Sequence, residues 1–210
     1  MMRNRFFQQT SLLVLFIAVL LAGCSGSPTP VEFYTLNSLS GTMQKANPAD
    51  AAQNIAIGIG PVEIPKILDR PQIVTRTGPN TLNVDEFHRW AGPLQEGFAK
   101  VLAENIALLL ATDRVAVYPW EAGFKPHYRI ALDVRYFEGQ FGENVVLEVV
   151  WRVSDRENEA IKAAKTSLIE EPLPAIDYKA LVAASSQTIA QLSREIAQEI
   201  RNLQAGGKTD

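Results

Sequence analysis

The chain is poor in the residues that most enzymes rely on. It has one cysteine, Cys24, so no disulfide can form within it. It has two histidines, His88 and His127, and neither belongs to an H-E-x-x-H pattern, so a zinc protease site is not indicated. No G-x-S-x-G elbow and no phosphate-binding glycine loop occurs. The longest apolar run, Ser11 to Ala22, is too short for a bilayer, which takes about 20 apolar residues. There is also no excess of positive charge: 20 basic residues stand against 23 acidic ones, without the concentrated basic patch of a nucleic-acid-binding protein. Internal repeats and low-complexity tracts are absent.

The N-terminus is informative. Arg3 and Arg5 precede the apolar run, and small residues follow it, the pattern of an export signal. Leu21-Ala22-Gly23-Cys24 resembles the lipobox of bacterial lipoproteins. That resemblance implies a signal peptide over 1–23, cleavage before Cys24, and a diacylglyceryl group on its thiol, with further acylation (palmitate or a similar chain) of the new amino terminus. This covalent lipid is the sole prosthetic group expected, with no metal and no other cofactor. A single acyl chain holds a protein only reversibly, at roughly 0.8 kcal/mol per buried methylene, whereas two or three hold it durably. Ser25 stands where aspartate would signal retention at the inner membrane, so the resemblance favours the periplasmic face of the outer membrane. Residues 24–30 form a lipidated tether. At about 3.3 Å per residue, Ser25 to Pro30 reaches roughly 20 Å. Removing residues 1–23 takes away two arginines and no acids, leaving 18 basic and 23 acidic residues, a net of −5.

Residues 31–210 read as one domain. Val31 to Asn37 is a first strand, and Ser38 to Gln53 a polar loop. In the following segment Ile55, Ile57 and Ile59 alternate with small residues, which predicts a buried strand ended by Pro61 and Pro65, with glycines where another backbone approaches. Gly78-Pro79 marks a hairpin between Gln72–Thr77 and Asn80–Glu86. Pro93 opens a helix to about Ala111 with Leu94, Phe98, Val101, Leu102, Ile106 and Leu109 on one face. Arg114 to Trp120 is a strand ending at Pro119. In His127–Phe137 a period of two puts Tyr128, Ile130, Leu132, Val134 and Tyr136 on one face. In Asn144–Asp155 it does the same for Val145, Leu147, Val149, Trp151 and Val153. These strands form a meander continuing into Ala160–Glu171. Asp177 caps a last helix over Tyr178–Leu203. Its stripe of Leu181, Thr188, Ile189, Leu192, Ile196, Ile200 and Leu203 reads as core packing rather than a face lying on a membrane. The order predicts an α/β single-domain sandwich with a mixed, largely antiparallel sheet and two main helices.

Two polar segments stand out. Asp85 to Trp90 could be an acid/base site, but a solvated strand end with Trp90 packed under the next helix explains it better. Asp69 and Arg70, in the loop Ile67–Gln72, could satisfy loop backbone groups, pair with Arg89 and Glu86, or face a partner.

Several blocks together resemble the ABC-type transport auxiliary lipoproteins, nearest the paraquat-inducible protein C group. They are Phe33-Tyr34-Thr35-Leu36, Gly58-Ile59-Gly60-Pro61-Val62 with Pro65, Leu68-Asp69-Arg70-Pro71-Gln72-Ile73, His88-Arg89-Trp90-Ala91 and Leu102-Ala103-Glu104-Asn105. The resemblance implies no enzymatic activity and no catalytic residue. It implies a part in envelope lipid transport and membrane integrity beside a periplasmic MCE-domain partner, with Asp69, Arg70, Arg89 and Trp90 as candidate docking residues. It leaves self-association into a homo-oligomer open. The competing reading is a structural or assembly-factor lipoprotein of the outer membrane unrelated to transport.

Overall fold

The computed structural model describes residues 29–39, 55–156 and 160–206. Cys24, the signal segment before it, the tether up to Pro28 and most of the Ser38–Gln53 loop lie outside the described residues.

The best-formed part of the sheet follows the clearest periodicity. Strands β6 (Tyr128–Gly139), β7 (Asn144–Asp155) and β8 (Ile161–Pro172) make an antiparallel meander. On the inner face of β7, Val145, Leu147, Val149, Trp151 and Val153 are all fully buried, as their alternation predicts. The outer face carries charged residues, among them the ion pair of Arg135 with Glu148. Strand β2 (Ile57–Glu63) runs parallel to β6 on its other side, and the short β5 (Val115–Val117) lies parallel beyond β2. A second wing is the hairpin of β3 (Gln72–Gly78) and β4 (Thr81–Trp90), whose turn pairs Gly78 with Thr81. Strand β1 (Glu32–Tyr34) adds to β4 in parallel as an edge. The wing joins the main sheet through Thr75 of β3 opposite Gly139 of β6. A glycine leaves room there: a Cβ on Gly139 would lie 2.7 Å from the Leu181 Cδ1 and force that side chain to shift.

Both helices form where expected and bury the expected residues. Helix α1 (Leu94–Leu109) begins after Pro93, which holds the cap position, and has Glu96 in its first turn, where the helix dipole favours an acid. It packs on β2 and β5, with Leu94, Phe98, Val101, Leu102 and Ile106 buried. Helix α2 (Tyr178–Gly206) is capped by Asp177, whose carboxylate accepts the N–H groups of Lys179 and Ala180 at 2.7 and 3.4 Å. It packs on β6, β7, β8 and α1, and Ile189, Leu192, Ile196 and Ile200 are fully buried. The stripe is therefore core. Arg201 of α2 also donates to the Leu109 carbonyl at the end of α1 (2.6 Å), a cation where the dipole favours one. The architecture is an α/β single-domain sandwich built on one hydrophobic core.

The structure departs from expectation wherever a strand bulges or runs out of partners. Pro61 does not end β2. Gly60 and Pro61 together face Ala131 between the pairs Ile59–Ile130 and Val62–Leu132, and the strand continues to Glu63. A bulge is one of the few places where a sheet tolerates a residue without an N–H. Gly60 there has φ +122°, and a Cβ on it would lie 2.7 Å from Tyr118. In β6, Arg135 is the extra residue between the pairs Val134–Val149 and Tyr136–Glu148, so Arg135 and Tyr136 together face Glu148. The bulge removes Tyr136 from the inner face and sends Phe137, opposite Leu147, into the core. Strand β1 has three residues rather than seven, because its partner β4 ends at Trp90, opposite Tyr34. Strand β5 stops for a different reason: its last pair is Ile59–Val117, directly before the Gly60–Pro61 bulge of β2.

Candidate functional site

The segment Asp85–Trp90 is shaped by a wide bulge. Between the pairs Gln72–Arg89 and Val74–Val84, Ile73 of β3 faces four residues of β4, Asp85 to His88. Such an excursion strands backbone N–H groups, and Asp85 supplies the acceptor. Its Oδ1 accepts from the N–H of Phe87 (2.8 Å), the N–H of His88 (2.9 Å) and the His88 Nδ1 (2.8 Å). Its Oδ2 accepts from the Tyr178 hydroxyl at 3.2 Å. The His88 ring stacks on Tyr178 with centroids 3.9 Å apart, Tyr34 sits 5.9 Å away, and Phe141 meets Tyr178 edge-on. Burial works to raise the Asp85 carboxyl, but the bonds from the His88 ring and the two N–H groups outweigh it and hold the group below the ordinary carboxylate value. Burial, then the Asp85 charge, push the Tyr178 hydroxyl up. Both carboxylate oxygens are thus engaged in holding the bulge to the first residue of α2. The cluster is a latch between β4 and α2.

The four candidate docking residues occupy different environments. Trp90 is buried at 9 % exposure among Leu68, Ile73, Leu94 and Phe137, so it packs under α1 as the structural reading held. Arg89 donates from Nε to the Glu86 carbonyl (2.9 Å) and from Nη2 to the Glu86 carboxylate (3.0 Å), which also receives Gln72 at 3.2 Å. This pair is open to water, with 34 % and 61 % of the two side chains exposed. Asp69 is exposed and Arg70 half-buried, in a turn closed by bonds from the N–H groups of Leu68 and Asp69 to the Pro65 carbonyl. Leu68 anchors the turn in the core. The Arg70 Nε is buried and has no hydrogen-bond partner among the described residues. The Trp90 N–H donates to the Pro71 carbonyl at 2.7 Å, and Gln72 faces Arg89. The tertiary fold therefore brings the loop and the end of β4 to one end of the sheet. Arg89 rather than Arg70 or Asp69 is paired with Glu86.

Some residues that organise this end were not singled out by sequence. Asn105, fully buried on α1, accepts the Leu39 N–H (2.7 Å) and donates to Ser193 of α2 (3.1 Å). Ser186 of α2 accepts the Asn37 N–H at 3.1 Å. The chain leaving β1 is thereby pinned across both helices, and a groove of about 470 Å³ lies along it, lined by Leu36, Trp90, Leu94 and Val101. The available signal was a polar residue at a core position of each helix. Arg76 and Glu138 form a half-buried pair at 2.8 Å beside the β3–β6 junction, and their 62-residue separation left no local signal. His127 is a backbone brace: its ring accepts the Ala56 N–H while its own N–H donates to the Ala56 carbonyl. Among the described residues no group of three His, Cys, Asp or Glu side chains could hold a metal ion. No described helix is long and apolar enough to cross a membrane.

The fold is a two-layer α/β sandwich with an N-terminal strand laced to both helices and a polar loop at the sheet end. The family model for the ABC-type transport auxiliary lipoprotein component matches residues 34–197, and the chain belongs to that family. The fold agrees with two crystal structures. Protein XCC0632 from Xanthomonas campestris is 21 % identical, with a TM-score of 0.69 over 85 % of this chain and 100 % of that one. An uncharacterized protein is 20 % identical, with a TM-score of 0.66 over 81 % of this chain and 99 % of that one. No curated protein matches. The chain is accordingly a lipoprotein component auxiliary to an ABC-type transport system.

Proposed function

We propose that this protein is a non-catalytic docking component of an envelope lipid-transport system. It is held by lipid on Cys24 at the periplasmic face of the outer membrane, and it receives the far end of a periplasmic MCE-domain protein. Family membership carries the transport role. The observation that supports docking is the convergence of Asp69 and Arg70, on a loop whose geometry Leu68 and the Pro65 carbonyl already hold, with Arg89 of β4 at one end of the sheet. A pre-shaped polar loop loses little freedom on binding, and arginine is enriched among the residues that dominate interfaces. Trp90 contributes by supporting this loop from below.

The test is to measure unfolding and partner binding together for Arg70→Ala and Arg89→Ala. The Arg89–Glu86 pair is solvent-exposed, and such pairs are worth about 0–1 kcal/mol. Arg89→Ala should therefore weaken binding to the MCE-domain protein at least tenfold while the unfolding midpoint barely moves. Loss of stability with binding intact makes the residue structural. If the native lipoprotein captures no MCE-domain protein at all, the docking role is withdrawn in favour of an assembly-factor lipoprotein.

A further inference from the structure

We propose that the outer face of β1 and the end of β4, carrying Val31, Phe33 and Phe87, is a membrane-contact surface that rests on the headgroup layer of the bilayer holding the lipid anchor. This inference rests on the reading that Cys24 is acylated.

Exposed apolar side chains are ordinary when scattered. Here three of them gather: Phe33 is 66 % exposed, Phe87 44 % and Val31 42 %. Register puts Phe33 opposite Arg89. Val31 directly precedes β1, and Phe87 directly precedes His88, the register partner of Glu32, so both lie along the same β1–β4 edge. Phe33 and Arg89 share the side opposite buried Trp90 and its register partner Tyr34, and exposed Val31 and Phe87 flank them along that edge.

Position argues for the occupant. Val31 directly follows the six tether residues Ser25–Pro30, which span at most roughly 20 Å. Acyl chains on Cys24 must keep this part of the domain, more than any other, beside the bilayer. Phenylalanine suits the boundary between headgroups and acyl chains.

The experiment uses the full-length lipoprotein purified from membranes and reconstituted into phosphatidylethanolamine–phosphatidylcholine vesicles. Because Cys24 is the only cysteine, an introduced one is the sole free thiol once Cys24 is acylated. Nitroxide labels at Phe33→Cys, Phe87→Cys and, as a control on the far edge strand, Leu168→Cys (the native leucine is 64 % exposed) report collisions with oxygen and with a water-soluble nickel chelate. The expected result is an oxygen-to-nickel accessibility ratio several-fold higher at 33 and 87 than at 168. Equal nickel access at all three positions overturns the surface. Shielding of 33 and 87 from both reagents also overturns it, because a protein and not lipid then covers the patch. Uptake of label by the unsubstituted chain overturns the anchor reading and the surface with it, and is recognised by label on residue 24.

Discussion

Asp85 shows how much one side chain can decide. Its carboxylate collects two backbone N–H groups, the His88 ring and the Tyr178 hydroxyl, so the bulge of β4, the aromatic stack and the start of α2 depend on it together. Replacing it with asparagine keeps the shape but removes the charge and one acceptor oxygen. Leaving such donors unsatisfied costs about 1–3 kcal/mol, so Asp85→Asn should lower the denaturation midpoint. The effect should depend on pH. A carboxyl held below its ordinary value stabilises the fold fully above that ordinary value, about 4, and the contribution is lost as pH falls through the lower folded value. Urea titrations between pH 2 and 7 should therefore show the wild type losing its advantage over Asp85→Asn at the acid end. A difference that stays constant across that range contradicts this account.

Among the elements, α2 does most to hold the layers together. It touches three strands of the meander and the other helix, and its first residue closes the β4 latch. Leu192 and Ile196 are fully buried in it. Truncating a core leucine or isoleucine to alanine costs roughly 2–5 kcal/mol through lost transfer energy and the cavity left behind. Leu192→Ala and Ile196→Ala should each show such a loss in chemical denaturation. An unmoved midpoint in both would mean that the helix does not pack as described. Helix α1 depends less on a cap, since Pro93 supplies no side-chain bond, and more on its apolar face and on Asn105.

For the whole molecule, the question is where it is held and by what. On the proposal that Cys24 carries lipid, Ser25–Pro30 join that anchor to the chain before β1, and past β1 the chain is laced to both helices by Ser186 and Asn105. Cys24→Ala should abolish incorporation of labelled fatty acid and release the protein from membranes; unchanged labelling would remove the anchor. With the anchor intact, density-gradient fractionation should place the protein with outer-membrane markers, and Ser25→Asp should shift it to the inner membrane. Recovery of the unsubstituted protein with inner-membrane markers would contradict the residence proposed from Ser25.

The amino-acid sequence by itself determined the meander β6–β8, the β3–β4 hairpin, both helices, the Asp177 cap and the stripe of α2. Each of these is written in neighbouring residues: an alternation of two, a spacing of three and four, a turn dipeptide, a capping side chain. The resemblance of its motifs also pointed to the family that the matched residues bear out. What only the tertiary structure decided are relations between distant segments. A bulge exists only relative to a partner strand, so Pro61 inside β2, Phe137 rather than Tyr136 in the core, and the Asp85–His88 excursion had no local mark. The same holds for Asn105 meeting Leu39 and Ser193, and for Arg76 meeting Glu138. The candidate site divides along that line. Arg70 and Arg89 were legible as unusual residues, and Trp90 under the next helix was read from the sequence, but which arginine reaches Glu86 required the chain to fold, because a side chain's partner depends on what the rest of the molecule brings alongside it.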